Sequence, residues 1–358
     1  MKSPGIILLI AALVATCGSP AGSAEFMFRA RVGGQMLEGK PLSWTDEQML
    51  LLGRDGRLHE FNPKTATEAQ KTSPRFFGYS ASEMKTVLQQ EFGRESDVSL
   101  TRHYLVVHPR GERDQWANRF EDLYNRFEHY FRVRGFSLEE PPYPLVAVVF
   151  RDQAEYQRHA EASGMPKRPD TLGHYDPTSN RVFLFDATRN NSGIDWSENA
   201  ATIIHEATHQ TAYNVGIHKR FTAAPLWLIE GLATMFEARG MWNAQYDHSQ
   251  SDRINYGRLA DFRKYAARRK PGSLLALLSS DQAFRGDVIA AYAEAWALSF
   301  YLCETQPRLY AAYLNKTATR PLFSDYPAAE RIADFQEIFG SEMKIFETKF
   351  LRYMEEIK

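Results

Sequence analysis

Apolar and polar positions change their period along the 358-residue chain, and each change marks a different kind of element. Residues 26–32 alternate apolar and polar, the pattern of a half-buried strand. Residues 49–52 and 58–61 flank Asp55-Gly56 and read as a hairpin closed by an Asp-Gly turn. Residues 65–74 are polar and read as a linker. Residues 100–108 are a strand candidate. Residues 111–134 carry Trp116, Phe120, Leu123 or Tyr124, Phe127 and Phe131 at three-to-four-residue spacing, one face of a strong helix. Residues 145–150 form a continuous apolar run, which predicts a buried strand, and 152–163 a helix. Residues 173–175 and 181–185, joined by Asp176-Pro177-Thr178-Ser179-Asn180, predict a second hairpin. From residue 195 onward the period is almost wholly helical, with helices expected near 196–215, 225–239, 257–269, 286–304, 306–316, 326–338 and 342–356. No internal repeat or low-complexity segment interrupts this order.

The pattern divides the chain into a small β-rich module at 25–74, a mixed α+β region at 75–195 and a helical region at 196–358. Residues 1–24 have the layout of a signal peptide. Lys2 supplies the positive start, residues 7–16 a short apolar core, and Gly22, Ser23 and Ala24 the small residues before a cut after Ala24. That apolar core is far shorter than the roughly 20 residues that span a bilayer. The alternatives are an uncleaved anchor, or a lipoprotein cut before Cys17, for which Thr16 is an unfavourable preceding residue. An exported chain, periplasmic or extracellular, with no stable membrane insertion once the leader is cut, is the expectation.

Composition adds little to this and excludes some partners. Hydrophobic residues make up 44% and charged residues 24%, which argues against disorder. The formal charge is −1, and loss of Lys2 with the acid-free leader makes it −2, so no basic footprint for nucleic acid is expected. With Cys17 removed, Cys303 stands alone, directly after the apolar stretch 295–302, and reads as core packing.

The candidate chemistry lies in the helical region. His205-Glu206-Ala207-Thr208-His209 places two histidines four residues apart, one above the other on a helix face, where both imidazoles can reach one ion with Glu206 beside it. Asp195 as N-cap with Glu198 three residues later makes a capping box for that helix, and Gly216 can end it. A catalytic zinc takes three protein ligands and keeps one position open. Downstream, Glu230 is a carboxylate among Trp227, Leu228, Leu232 and Met235, a costly placement unless something pairs with it, and a metal is the obvious partner. Glu237 lies two turns on along the same face. It is either an orienting partner for a ligand histidine or a solvated charge.

Residues 205–209, followed by Trp227-Leu228-Ile229-Glu230-Gly231-Leu232-Ala233 with twenty residues between His209 and Glu230, resemble the gluzincin branch of the MA clan of peptidases. Tyr292-Ala293-Glu294-Ala295-Trp296 is similar to a stretch in uncharacterised bacterial members of that superfamily. The resemblance covers about 75–358. It implies a two-lobed zincin, an α+β lobe followed by an all-helical lobe, with the metal in the cleft between them. It further implies Zn2+ held by His205, His209 and Glu230, Glu206 as general base, and a peptide or protein substrate. Tyr292 is the expected oxyanion donor, with plain helix packing as its other reading. In zincins the substrate backbone pairs with an edge strand above the active helix. Residues 180–185 are the expected edge, and His174 is a turn or surface histidine close to it. The Gly-x-Met-Glu-Asn element with which aminopeptidases of this branch hold a free amine is absent, which points to an endopeptidase. Two other readings stay open: a binding protein on a decayed peptidase fold, and a zinc hydrolase of a non-peptide substrate of the cell envelope.

Overall fold

The computed structural model describes residues 25–111, 115–164, 172–186 and 196–357. The expected leader and the Asp195 cap lie outside the described residues. The architecture is mixed α and β, with two five-stranded sheets and a helical C-terminal half.

The first sheet is the N-terminal module. Strands β1 (Met27–Val32), β2 (Gln35–Trp44), β3 (Met49–Gly53), β4 (Leu58–Phe61) and β5 (Thr67–Ser73) pair antiparallel in the order β4-β3-β2-β1-β5. Phe28, Ala30, Met49, Leu51, Phe61 and Ala66 make its small core. The expected linker at 65–74 is instead β5, with Phe28 opposite Lys71 and Arg29 opposite Gln70. Its side chains are nearly all exposed, so the apolar alternation that marks a half-buried strand is missing. Backbone pairing to β1 holds it in place.

The second sheet follows. Helix α1 (Ala81–Phe92) leads into β6 (Ser96–Leu100) and β7 (Tyr104–Pro109). The single strand expected at 100–108 is therefore a hairpin that turns at 101–103. Helix α2 (Gln115–Arg132), β8 (Leu145–Phe150), α3 (Gln153–Ala162), β9 (Gly173–Asp176) and β10 (Arg181–Phe185) complete the region, in the order β6-β7-β8-β10-β9. β7, β8 and β10 run parallel, flanked by antiparallel β6 and β9. Leu105, Val107, Val146, Val148, Phe150, Phe183 and Phe185 face α1 and α3. Tyr104, Val106, Leu145, Ala147, Val149, Val182 and Leu184 face the main core with Trp116, Phe120 and Phe127 of α2. Burial on both faces is why these strands read as unbroken apolar runs.

The main core continues into the helical half: α4 (Trp196–Asn214), α5 (Leu226–Phe236), α6 (Arg239–Trp242), α7 (Tyr256–Ala266), α8 (Ser273–Ser279), α9 (Val288–Thr305), α10 (Pro307–Ala318), α11 (Ala328–Phe339) and α12 (Met343–Glu356). Helix α9 is buried along most of its length, with Cys303 among its packed residues. α5 lies directly against it. A Cβ on Gly231 would collide with the Ala295 carbonyl oxygen and Ser299 Oγ, so only glycine permits this approach immediately after Glu230. No described helix is long and apolar enough to cross a membrane.

Candidate metal centre

α4 and α5 meet so that His205, His209 and Glu230 converge. His205 Nε2 lies 3.1 Å from His209 Nε2, and Glu230 Oε2 lies 3.3 Å from the first and 3.6 Å from the second. Tetrahedral ligation with bonds of ~2.0–2.1 Å separates ligand atoms by ~3.3 Å, so one ion fits between the three. Among the described residues they form the single cluster of three or more His, Cys, Asp or Glu side chains compatible with a metal. Glu230 Oε2 has no hydrogen-bond partner in the protein although it is shielded from solvent. A buried carboxylate oxygen left in this way, aimed at two imidazole nitrogens, is the donor geometry of a cation site.

The electrostatics are consistent with that geometry. Burial would raise the Glu230 carboxyl, but the adjacent His209 and His205 imidazoles prevail and hold it below the usual carboxylate range. Burial would lower His205, yet its contacts with Glu230 and Glu237 raise it well above the ordinary histidine value.

Glu237 caps the C-terminus of α5 and accepts a hydrogen bond from His205 Nδ1 at 2.8 Å. This contact directs the lone pair of Nε2 to the centre of the cluster. Glu237 Oε2 is in turn held by Asn255 Nδ2 at 2.9 Å, with Arg258 Nε at 3.8 Å.

Glu206 opens toward the sheet, where its Oε2 accepts the backbone N–H of Tyr175 at 2.7 Å. Tyr175 belongs to β9, which among the described residues is the outer strand of the second sheet. The expectation that 180–185 forms this edge is corrected: β10 lies between β8 and β9. All five β10 residues are buried, as an inner strand requires, whereas three of the four β9 residues are partly exposed. His174 points to the opposite face of β9, its Nδ1 2.7 Å from Tyr156 Oη and its ring stacked on Phe183.

Tyr292, on α9, lies beside the cluster. Burial raises its phenol pKa first, then the Glu230 and Glu206 carboxylates, so it stays protonated. Phe284 packs edge-on against its ring, and the Arg258 guanidinium sits 5.3 Å from the ring centre. The fold also brings in His218, which sequence reasoning did not single out. It is fully buried against Tyr213, and burial, then His209, pushes it down to about 3. Asn255, Arg258 and Tyr175 were equally invisible, because nothing in their local sequence marks them.

Residues 199–324 match a family model described as "Protein of unknown function (DUF1570)". That span takes in His205, His209, Glu230, Glu237 and Tyr292. No curated protein matches the sequence. Among solved structures, the chain is similar to an M1 zinc metallopeptidase from Deinococcus radiodurans, crystallised as a mutant, at 14% identity and a TM-score of 0.38. The similarity covers 73% of this chain and 51% of that one, so the chain spans about half the length of the structure it matches.

Proposed function

We propose that the chain is a zinc-dependent peptidase, an endopeptidase acting after export with its leader removed. The observation that carries this reading is the orphaned Glu230 Oε2 facing His205 Nε2 and His209 Nε2, with Glu206 outside the cluster and bonded to the Tyr175 backbone N–H. A set of two imidazoles and one carboxylate suits zinc and leaves a position for a reacting molecule. Bound there, zinc would acidify a water and polarise a substrate carbonyl.

The remaining work falls to the chain itself. The Glu206 carboxylate accepts a proton from the attacking water and returns it to the leaving amine. The Tyr292 phenol, kept protonated by burial and by the neighbouring carboxylates, donates a hydrogen bond to the oxyanion. The half-buried outer edge of β9, where Glu206 now holds the Tyr175 N–H, offers main-chain groups to an extended peptide, which favours a peptide over a cell-envelope substrate of other chemistry. Glu237, braced by Asn255, keeps His205 in its binding orientation.

Glu206→Gln tests the reading. It preserves shape and should hold zinc like the wild type, while cleavage of a peptide the wild type hydrolyses falls by ~10²–10⁴. Cleavage at the wild-type rate would show that Glu206 is not the base. Tight zinc without turnover of any peptide by the wild type would favour a binding protein on the same fold.

A further inference from the structure

The N-terminal module touches the rest of the molecule at a place that bears on the cleft. Its β3–β4 turn, where Gly56 N donates to Gly53 O, lies against the β9–β10 turn. Arg220, from the segment between α4 and α5, sits between the two and is only 7% exposed. Its Nη1 donates to the Gly56 carbonyl at 2.8 Å and the Pro177 carbonyl at 3.0 Å, and its Nη2 to Tyr143 Oη at 3.0 Å. Among the described residues Arg220 forms no ion pair. A buried cation answered only by neutral acceptors is costly, and an apolar side chain would fill the space without that cost. What the guanidinium adds is geometry: three fixed bonds to three separate segments.

Other bonds converge on the same hairpin. Leu58 N donates to Thr178 O at 2.8 Å. Arg181, 1% exposed, pairs with Glu91, which also receives Arg57 Nη2 at 2.6 Å. From the opposite side α4 holds Asn180, whose φ is +60°. Gln210 Nε2 donates to its carbonyl at 2.7 Å, and Asn214 exchanges amide bonds with its side chain. Tyr175 Oη donates to Asn180 Oδ1 at 2.8 Å, while Tyr175 N reaches Glu206. The strand that carries the Glu206 contact is thus clamped between the N-terminal module and the helix bearing the two histidines.

We propose that residues 25–74 are a working part of the peptide-binding cleft rather than a removable pro-segment. Arg220 is the positioning residue through which the module sets the height of β9 over the metal centre. This rests on the peptidase reading above, because it is a peptide that pairs with β9. The mature chain would be compared with Arg220→Gln, Arg220→Lys and Gly56→Val. Gly56 has φ +82°, and a Cβ there would lie 2.9 Å from the Tyr143 ring and 3.1 Å from Asn180 Nδ2, so valine wedges the module away. In Arg220→Gln and Gly56→Val, metal content should stay at the wild-type level and kcat within about threefold, while KM for a cleaved peptide rises ~10-fold or more. Backbone amide exchange at 173–176 should accelerate, and Arg220→Lys should recover part of both effects. If KM and exchange at 173–176 stay unchanged while only the melting temperature falls, Arg220 is a stability residue and the proposal is overturned. A wild type that holds metal but neither cleaves nor binds peptides would defeat the peptidase reading instead. The clamp is then decided by exchange alone: faster exchange in the variants upholds it, and unchanged exchange overturns it.

Discussion

The two sides of the candidate metal centre, called here its walls, are assembled by different rules. The helical wall draws His205, Glu206, His209, Glu230 and Glu237 from two consecutive helices; residue spacing sets their placement within each helix, and the packing of α5 on α4 brings the two sets together. The strand wall draws on Gly56, Tyr143, Tyr175, Pro177, Asn180 and Arg220, scattered across the chain and joined by bonds between distant segments. A wall of two packed helices needs one helix contact to be complete, while one made of many long-range bonds depends on everything that docks to it. Changes on the helical wall should therefore show as lost metal, and changes on the strand wall as altered peptide handling with the metal intact.

The largest effect is expected at Glu230. Glu230→Ala removes the only carboxylate among the three proposed ligands and should abolish stoichiometric zinc binding, measured by metal analysis of purified protein, together with the proposed hydrolysis. Retention of a full zinc would overturn the ligand assignment. Glu237→Ala sharpens the contrast within the same wall. It frees His205 Nδ1 without removing a ligand, so zinc affinity, measured by competition with a chelator, should fall ~10–100-fold while binding itself persists. Unchanged affinity would make Glu237 a solvated charge of no consequence for the centre.

The smallest effect on the metal is expected from Gly173→Ala, on the other wall. A Cβ there would lie 2.8 Å from the Phe183 carbonyl oxygen, 2.9 Å from Leu184 Cβ and 3.2 Å from Thr202 Cγ2, and would press β9 away from β10 and, less strongly, from α4. Overpacking of this kind costs ~1–3 kcal/mol of stability. The variant should melt earlier and bind peptide more weakly, with wild-type zinc affinity. Zinc lost in parallel with peptide binding would show that the two walls are not independent.

Sequence and structure agree best where a local rule governs. The helical positions after residue 195, the Asp-Gly hairpin at 49–61, and the shared face of positions 205 and 209 all follow from period, turn chemistry and helical geometry, which act over a few residues. Helix α1 shows how thin that signal can be. Ser80 and Glu83 form a full capping box, yet only Met84 and Leu88 face the core, too few for apolar periodicity to reveal the helix. β5 shows the opposite limit: its pairing is backbone to backbone, and its polar side chains carry no trace of it.

By itself, the sequence determined that two imidazoles share one helix face with a glutamate between them, and that a second carboxylate follows on an apolar helix. Those facts are fixed by a rise of ~1.5 Å per residue and ~3.6 residues per turn. Only the tertiary structure decided that Glu230 Oε2 arrives within 3.6 Å of both histidines and that Glu237 rather than solvent meets His205. It alone decided that β9, not β10, is the outer strand among the described residues, and that the N-terminal module closes on the turn of that hairpin. These depend on which segments pack against one another. Close approach at Gly231 and burial of Arg220 are set by the whole fold, and no window of neighbouring residues contains them.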